Sequence, residues 1–295
     1  MRAAHARLVA TAFAAALLGA TSAHAVVFPS IPDLTPYAIV SVGPHASLMI
    51  NSGPITGKVL AGDGSSVSTS GGGNGSITGG AYADTLALLN DFNKLQTPPV
   101  ETLVSSSVTS GAFTEAQNLQ TFLDGQTATQ TFGALTGTTT ITGGAGGLDV
   151  IDFASLHNDT LTLSGGANDI FVLRTSGDVH TNRTVTLTGG LTADHVIWDL
   201  GGASGNVLQT SGGDSLFGTF LDTKGGDFQF SALSLDGQLI NTGGHIQFVS
   251  NSTLTGSPFT PPSVPEPTTW AMMLLGFAGL GAALRTWRRA AAIST

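Results

Sequence analysis

In the second half of the chain, short runs rich in β-branched and aromatic residues, with apolar and polar positions alternating in several, follow one another at 160–164, 170–175, 183–188, 195–199, 215–222, 227–230 and 245–249. Turn formers bound each run, so the pattern predicts a series of short strands. Glycine pairs punctuate them, from Gly165-Gly166 through Gly189-Gly190, Gly201-Gly202, Gly212-Gly213 and Gly225-Gly226 to Gly243-Gly244, at intervals of 24, 12, 11, 13 and 18 residues. A spacing near twelve or its multiple, with glycine free to take positive φ at each corner, is what a stacked β-solenoid requires. A sandwich gives similar intervals. One segment has the other period: in 84–95, Leu88, Leu89, Phe92 and Leu95 share a helical face before Pro98-Pro99 stops it. The expectation is an all-β, right-handed β-solenoid (β-helix) with one α-helix packed along its side, and a short hydrophobic helix at the C-terminus.

The two ends are built differently. Arg2 and Arg7 precede an apolar stretch over 8–18, and Ala23-His24-Ala25 is a small-x-small cleavage signal, which together read as a secretory signal peptide cut after Ala25. That implies a Sec-type export machinery as first partner. A retained anchor would need a longer apolar run. Near the C-terminus Pro265-Glu266-Pro267 is followed by apolar residues 270–284 and then by Arg285, Arg288 and Arg289. Fifteen helical residues span about 22 Å, short of the roughly 30 Å hydrocarbon core, so insertion in the inner membrane is marginal and transient. The arginines beyond it stay cytoplasmic, which leaves the domain on the far side. The expected division is a signal peptide at 1–25, an exported domain at 26–263, a tail at 264–289 and a cytoplasmic end at 290–295.

Composition sharpens this reading. Between Val26 and Val264 five bases stand against eighteen acids, a net of −13. Such a surface repels phosphate backbones and anionic lipid, so nucleic acid is excluded as a partner. The chain has no cysteine. An exported domain without disulfides is held by backbone pairing and apolar burial alone, which favours a large sheet.

The order Pro265-Glu266-Pro267, apolar helix and arginine cluster closely resembles the PEP-CTERM sorting signal of Gram-negative bacteria, a tail also labelled the ice-binding protein C-terminal domain. The resemblance implies recognition by an exosortase-type membrane protease, processing near Pro265-Glu266-Pro267, and delivery to the cell surface or an exopolysaccharide matrix. The alternative is an ordinary single-span tail anchor. The label belongs to the tail and says nothing of what the exported domain binds.

Within that domain, Tyr37-Ala38-Ile39-Val40, Asn51-Ser52-Gly53-Pro54-Ile55-Thr56-Gly57 and Ile77-Thr78-Gly79-Gly80 lead into the helix. Ile170-Phe171-Val172-Leu173, His195-Val196-Ile197-Trp198 and Phe217-Gly218-Thr219-Phe220-Leu221 follow. This series resembles the bacterial ice-binding-like (DUF3494) β-helix domain across much of 37–255, with 101–147 departing from its pattern. The related choice-of-anchor A surface domains are similar too. What the first resemblance implies is a flat array of threonines whose methyl and hydroxyl groups order water. Thr136, Thr138, Thr140 and Thr142 alternate, as do Thr184, Thr186 and Thr188, so each set is expected on one side of a strand. Threonine is equally an ordinary solvent-facing strand residue.

Other motifs weigh less. Gly213-Asp214-Ser215-Leu216 spells the signature of the GDSL esterases, but no Asp-x-x-His follows to supply base and orienting acid. Gly143–Leu148 with Asp149, and Gly165-Gly166-Ala167-Asn168-Asp169, are similar to calcium-binding β-roll repeats, with the aspartate out of register and no tandem copies. Asp178 with His180, and Asp194 with His195, lack a third ligand for a metal. Asn158, Asn182 and Asn251 head glycosylation sequons that are incidental in a bacterium. The expectation is a non-enzymatic protein without cofactor, a structural or adhesive component of the surface, biofilm or exopolysaccharide matrix. Ice binding through a threonine face is the alternative, and a polysaccharide-acting β-helix enzyme the third reading.

Overall fold

The computed structural model describes residues 26–69, 75–144, 147–201 and 205–261, together with Met273, Gly276, Phe277 and Leu280. Phe28–Pro262 forms one compact unit, and all its buried hydrophobic side chains among the described residues lie between Phe28 and Phe259. The second unit, Met1–Val27 with Ser263–Thr295, contains the few described tail residues, which are helical. Ala23, Ala25, Pro265, Glu266, Pro267, Arg285, Arg288 and Arg289 lie outside the described residues. Among the described residues no helix is long and apolar enough to cross a membrane.

The large unit is a stack of coils with three strand-bearing faces, in which strands pair in parallel with those of neighbouring coils. Face one contains β8 (Glu101–Leu103), β7 (Ala81–Ala83), β4 (Val59–Gly62) and β1 (Ile39–Val42). It continues through the second half of β20 (Ser234–Asn241), the second half of β18 (Ser215–Asp222), β16 (Val196–Asp199), β13 (Ile170–Thr175), β11 (Leu148–His157) and β9 (Gln130–Leu135). Face two contains β5 (Ser66–Thr69), β2 (Ser47–Ile50), β21 (His245–Val249), β19 (Gly226–Ser231), β17 (Gly205–Thr210), β14 (Val179–Thr181) and the end of β11. Face three contains β6 (Ser76–Ile77), β3 (Pro54–Thr56), β22 (Thr253–Gly256) and the first halves of β20 and β18. It ends in a separate sheet of β15 (Thr186–Thr188), β12 (Thr160–Ser164) and β10 (Thr138–Thr142).

Alternation explains the interior. Inward residues such as Leu48, Ile246, Phe228 and Phe230 are fully buried while their neighbours face out. Trp198 stacks on Phe220 of the next coil at 5.2 Å, and its indole N–H donates to the Phe217 carbonyl at 2.9 Å. A coil takes 19 residues between Ser215 and Ser234 and 25 between Phe171 and Val196. The glycine interval of about twelve is therefore a corner-to-corner distance rather than a full coil. Gly218, with φ of +113°, stacks on Gly237, where a Cβ would stand 1.9 Å from the Gly218 carbonyl oxygen. No other residue fits that corner.

Chain order and stack order differ. β1 lies between β4 and β20, so the chain begins in mid-stack and climbs through β4 and β7 to β8. A long helix, Ser106–Asp124, then carries it back alongside face one, and the remaining coils return until Leu239 pairs with Ile39. Nineteen helical residues rise about 28 Å. That matches the six strand spacings, about 29 Å, from β7 to β13. Its side chains mark the path: Thr109 donates to Asp84 at 2.8 Å, Gln117 to Thr242 at 3.2 Å and Gln120 to Asp199 at 2.7 Å. Arg174 clamps the far end, donating to the Leu123 and Gln126 carbonyls at 2.8 Å each while paired with Asp152. Under the helix Ala112, Ala116, Leu119 and Leu123 are buried, as are the outward Val40, Leu60, Ile197, Leu221 and Ile240 of face one.

Two helices thus stand where one was expected. The one read from the sequence, now Leu86–Phe92, does not run along the side. Leu88, Leu89, Phe92 and Leu95 belong to the interior cluster, and the helix takes the place of a face-two strand in the last coil beside β5.

The seam between long helix and solenoid buries carboxyls. Glu115 accepts the Asp33 and Leu34 N–H groups at 2.9 and 3.2 Å, yet burial pushes it up to about 7. Burial raises Asp222 to about 6 against the opposing Lys224 N–H, and Asp199 is raised for the same reason. A carboxyl raised above its unfolded value stabilises the fold when protonated, and that stability is lost as pH rises through the folded value. The melting temperature of residues 28–262 at pH 5 should therefore exceed that at pH 8 by about 5 °C or more, measured by circular dichroism; a higher melting temperature at pH 8 would contradict this.

Candidate functional site

Three strands supply the most regular outward surface. In β10, β12 and β15 the inward residues Ile141, Leu161 and Leu163 are buried and Leu187 partly so. The side chains between them must then face solvent. Parallel register lines those outward residues up: Thr138 with Thr160, Thr140 with Thr162 and Thr186, Thr142 with Ser164 and Thr188. Thr184 precedes β15, exposed, with buried Val185 between it and Thr186. The result is a grid of three strands by three positions, eight threonines and one serine with no charge among them. At about 4.8 Å between strands and about 6.8 Å between alternate residues, it measures about 10 by 14 Å.

The structure brings the two threonine sets of the sequence into one sheet and interposes a row that pattern reading passed over. Thr160, Thr162 and Ser164 alternate in the same way, and that alternation was the available signal. Thr136 is left out of the grid. It follows β9 at a corner, separated from Thr138 by Gly137 with φ of +122°, which breaks the alternation.

Corner carboxylates hold the edges of this sheet in shape. Thr139 donates to Asp159 at 2.5 Å, and the Gly144 and Gly166 N–H groups donate to Asp149 and Asp169. Asp149 and Asp169 are the aspartates of the two glycine-rich turns, and their contacts here are those of turn caps. Among the described residues no group of three or more His, Asp or Glu side chains could hold a metal ion.

Face two offers a second outward ladder, running in register through Ser68, Met49, Gln247, Gln229, Gln209, His180 and His157. It carries the ionisable side chains His180 and His157. Ser47 bonds His245 at 2.6 Å, Asp227 accepts the His245 N–H, and His157 meets Asp178 at 2.9 Å. Ser215 of the Gly-Asp-Ser-Leu motif opens β18 at the mouth of a cleft of about 820 Å3 whose described lining contains no histidine. A serine without a base is not activated as a nucleophile.

Residues 263–289 match the family model of the PEP-CTERM protein-sorting motif. The tail is a PEP-CTERM protein-sorting motif. Such a tail marks an exported, cell-surface protein and implies exosortase processing. No curated protein matches the chain as a sequence.

Solved structures match its fold. An ice-binding protein from an Arctic yeast superposes with a TM-score of 0.54 at 16% identity, covering 81% of this chain and 98% of that one. An ice-binding protein from an Antarctic biological consortium gives 0.52 at 15%, covering 79% and 94%. The DUF3494 domain of Shewanella frigidimarina ice-binding protein 1 gives 0.52 at 15%, covering 81% and 99%. At these identities the likeness establishes the β-helix fold and leaves the ligand to be argued from the side chains.

Proposed function

We propose that the chain is a non-catalytic cell-surface protein whose exported domain adsorbs to ice through the β10–β12–β15 threonine grid. The observation that carries this reading is the grid itself, with eight in-register hydroxyls, Thr184 continuing the third row, and no charge. Hydroxyls at fixed spacing anchor water, and the methyl groups between them order the shell around it. A charged side chain would hold its own disordered hydration instead. The fold shared with proteins described as ice-binding supports the assignment. The grid is small, so the activity expected is inhibition of ice recrystallisation with little freezing hysteresis. Purified residues 28–262 should keep ice crystals small during annealing; coarsening at the rate of a buffer control would refute the reading.

A second reading, a structural or adhesive component of the biofilm or exopolysaccharide matrix, is favoured by the sorting tail and by the net charge of −13 over residues 26–264. Both readings need the tail processed. Replacing Pro265-Glu266-Pro267 by three alanines should leave the precursor uncut in the membrane fraction, read by immunoblot after fractionation. Normal release of the variant would count against exosortase processing at this motif.

A further inference from the structure

The cleft of about 820 Å3 on face three lies where β15 parts from the main sheet. The Val185 N–H to Ser215 carbonyl bond, 2.9 Å, and the Thr260 N–H to Asp194 carbonyl bond, 3.1 Å, join the two sides there. Its floor is unlike the threonine grid. Phe217 is half-buried and partly exposed, packed against the core by one side, and in register it stands beside Asp236 on the neighbouring strand. The Ser257 hydroxyl donates to one oxygen of Asp236, which fixes the carboxylate and leaves the other oxygen to accept. Thr192, Asp194 and Thr260 add hydroxyl and carboxylate groups around the rim.

An aromatic ring about one strand spacing, roughly 4.8 Å, from a fixed carboxylate suits a pyranose unit. The apolar C–H face of the sugar packs on the ring, and hydroxyls at the sugar's edge donate to the carboxylate. The same carboxylates repel anionic sugars. We infer that this cleft binds a neutral saccharide chain, which would tether the exported domain to a glycan matrix. Thr184 and Thr186 at the edge of the threonine grid line one side of the cleft, but its ring and its fixed carboxylate come from β18 and β20, so substitutions at Phe217 and Asp236 test it separately from ice adsorption.

Native gels cast with dextran, laminarin or hydroxyethyl cellulose test it, with alginate as the anionic comparison. Residues 28–262, which hold the whole described core, should be retarded in at least one neutral gel and run freely in alginate. Phe217→Leu keeps the apolar contact with the core but removes the ring. It should weaken retardation by about tenfold or more, a loss of about 1.4 kcal/mol, with an unchanged melting curve. Asp236→Asn should weaken it too, while Thr162→Lys should leave it intact. Free migration in every neutral gel, equal retardation of Phe217→Leu and the parent, or preferential retardation by alginate would each overturn the assignment.

Discussion

Thr162→Lys should abolish inhibition of ice recrystallisation while leaving the fold intact. Thr162 is the centre of the grid, flanked in register by Thr140 and Thr186. A lysine there projects a flexible, strongly hydrated charge through the one surface that must meet an ordered lattice. Because the side chain faces outward, stability should change by no more than the small amount usual for surface substitutions, about 0.5 kcal/mol. The concentration needed for a given inhibition should rise about tenfold or more, equivalent to about 1.4 kcal/mol of adsorption per tenfold. Thr114→Lys, on the exposed side of the long helix, is the matched control and should retain full activity. If both variants are equally active, the grid is not the adsorbing surface.

Gln238→Ala should be the most damaging single change at the closure of the stack. Gln238 is buried, and its Nε2 donates to the Leu34 and Tyr37 carbonyls at 2.8 Å each while Oε1 accepts from Thr219. Those bonds join the last full coil to the segment entering the first, about 200 residues away in sequence. Truncation takes its donor from the Tyr37 carbonyl, leaves the Leu34 carbonyl with the Tyr37 N–H alone at 3.2 Å, and opens a small cavity, costing about 2–4 kcal/mol and about 5–12 °C in melting temperature. Gln247→Ala, the same substitution in the half-exposed ladder of face two, should cost about 0.5 kcal/mol or less. A small effect at Gln238 would mean that β1 docks on β20 by backbone pairing alone.

What the sequence made legible follows the reach of each signal. Runs 160–164, 170–175, 215–222 and 245–249 coincide with β12, β13, β18 and β21, because two-residue alternation between glycine corners is a local property. The long helix Ser106–Asp124 escaped because Ser106, Ser107, Thr109, Ser110 and Gly111 read as strand and turn residues. Its helical signal sits on Ala112, Ala116, Leu119 and Leu123, small and widely spaced, and its burial comes from face one rather than from its own apolarity. The mid-stack start of the chain is also invisible locally, since nothing near Ile39 announces a partner at Leu239. The threonine sets could be seen strand by strand. Their assembly into one grid depends on register between coils 22 and 24 residues long, which only the stacked structure supplies. Phe217 likewise read as one more strand aromatic until Asp236 appeared beside it.

The central claim is that the exported domain adsorbs to ice through β10, β12 and β15. Fluorescently labelled residues 28–262, with Thr162→Lys as the paired sample, can be frozen into a single ice crystal grown slowly on a cold finger and the fluorescence of ice and liquid compared. Incorporation of the parent into defined crystal planes, with exclusion of Thr162→Lys, is the predicted result; exclusion of both proteins, or equal incorporation of both, would contradict it.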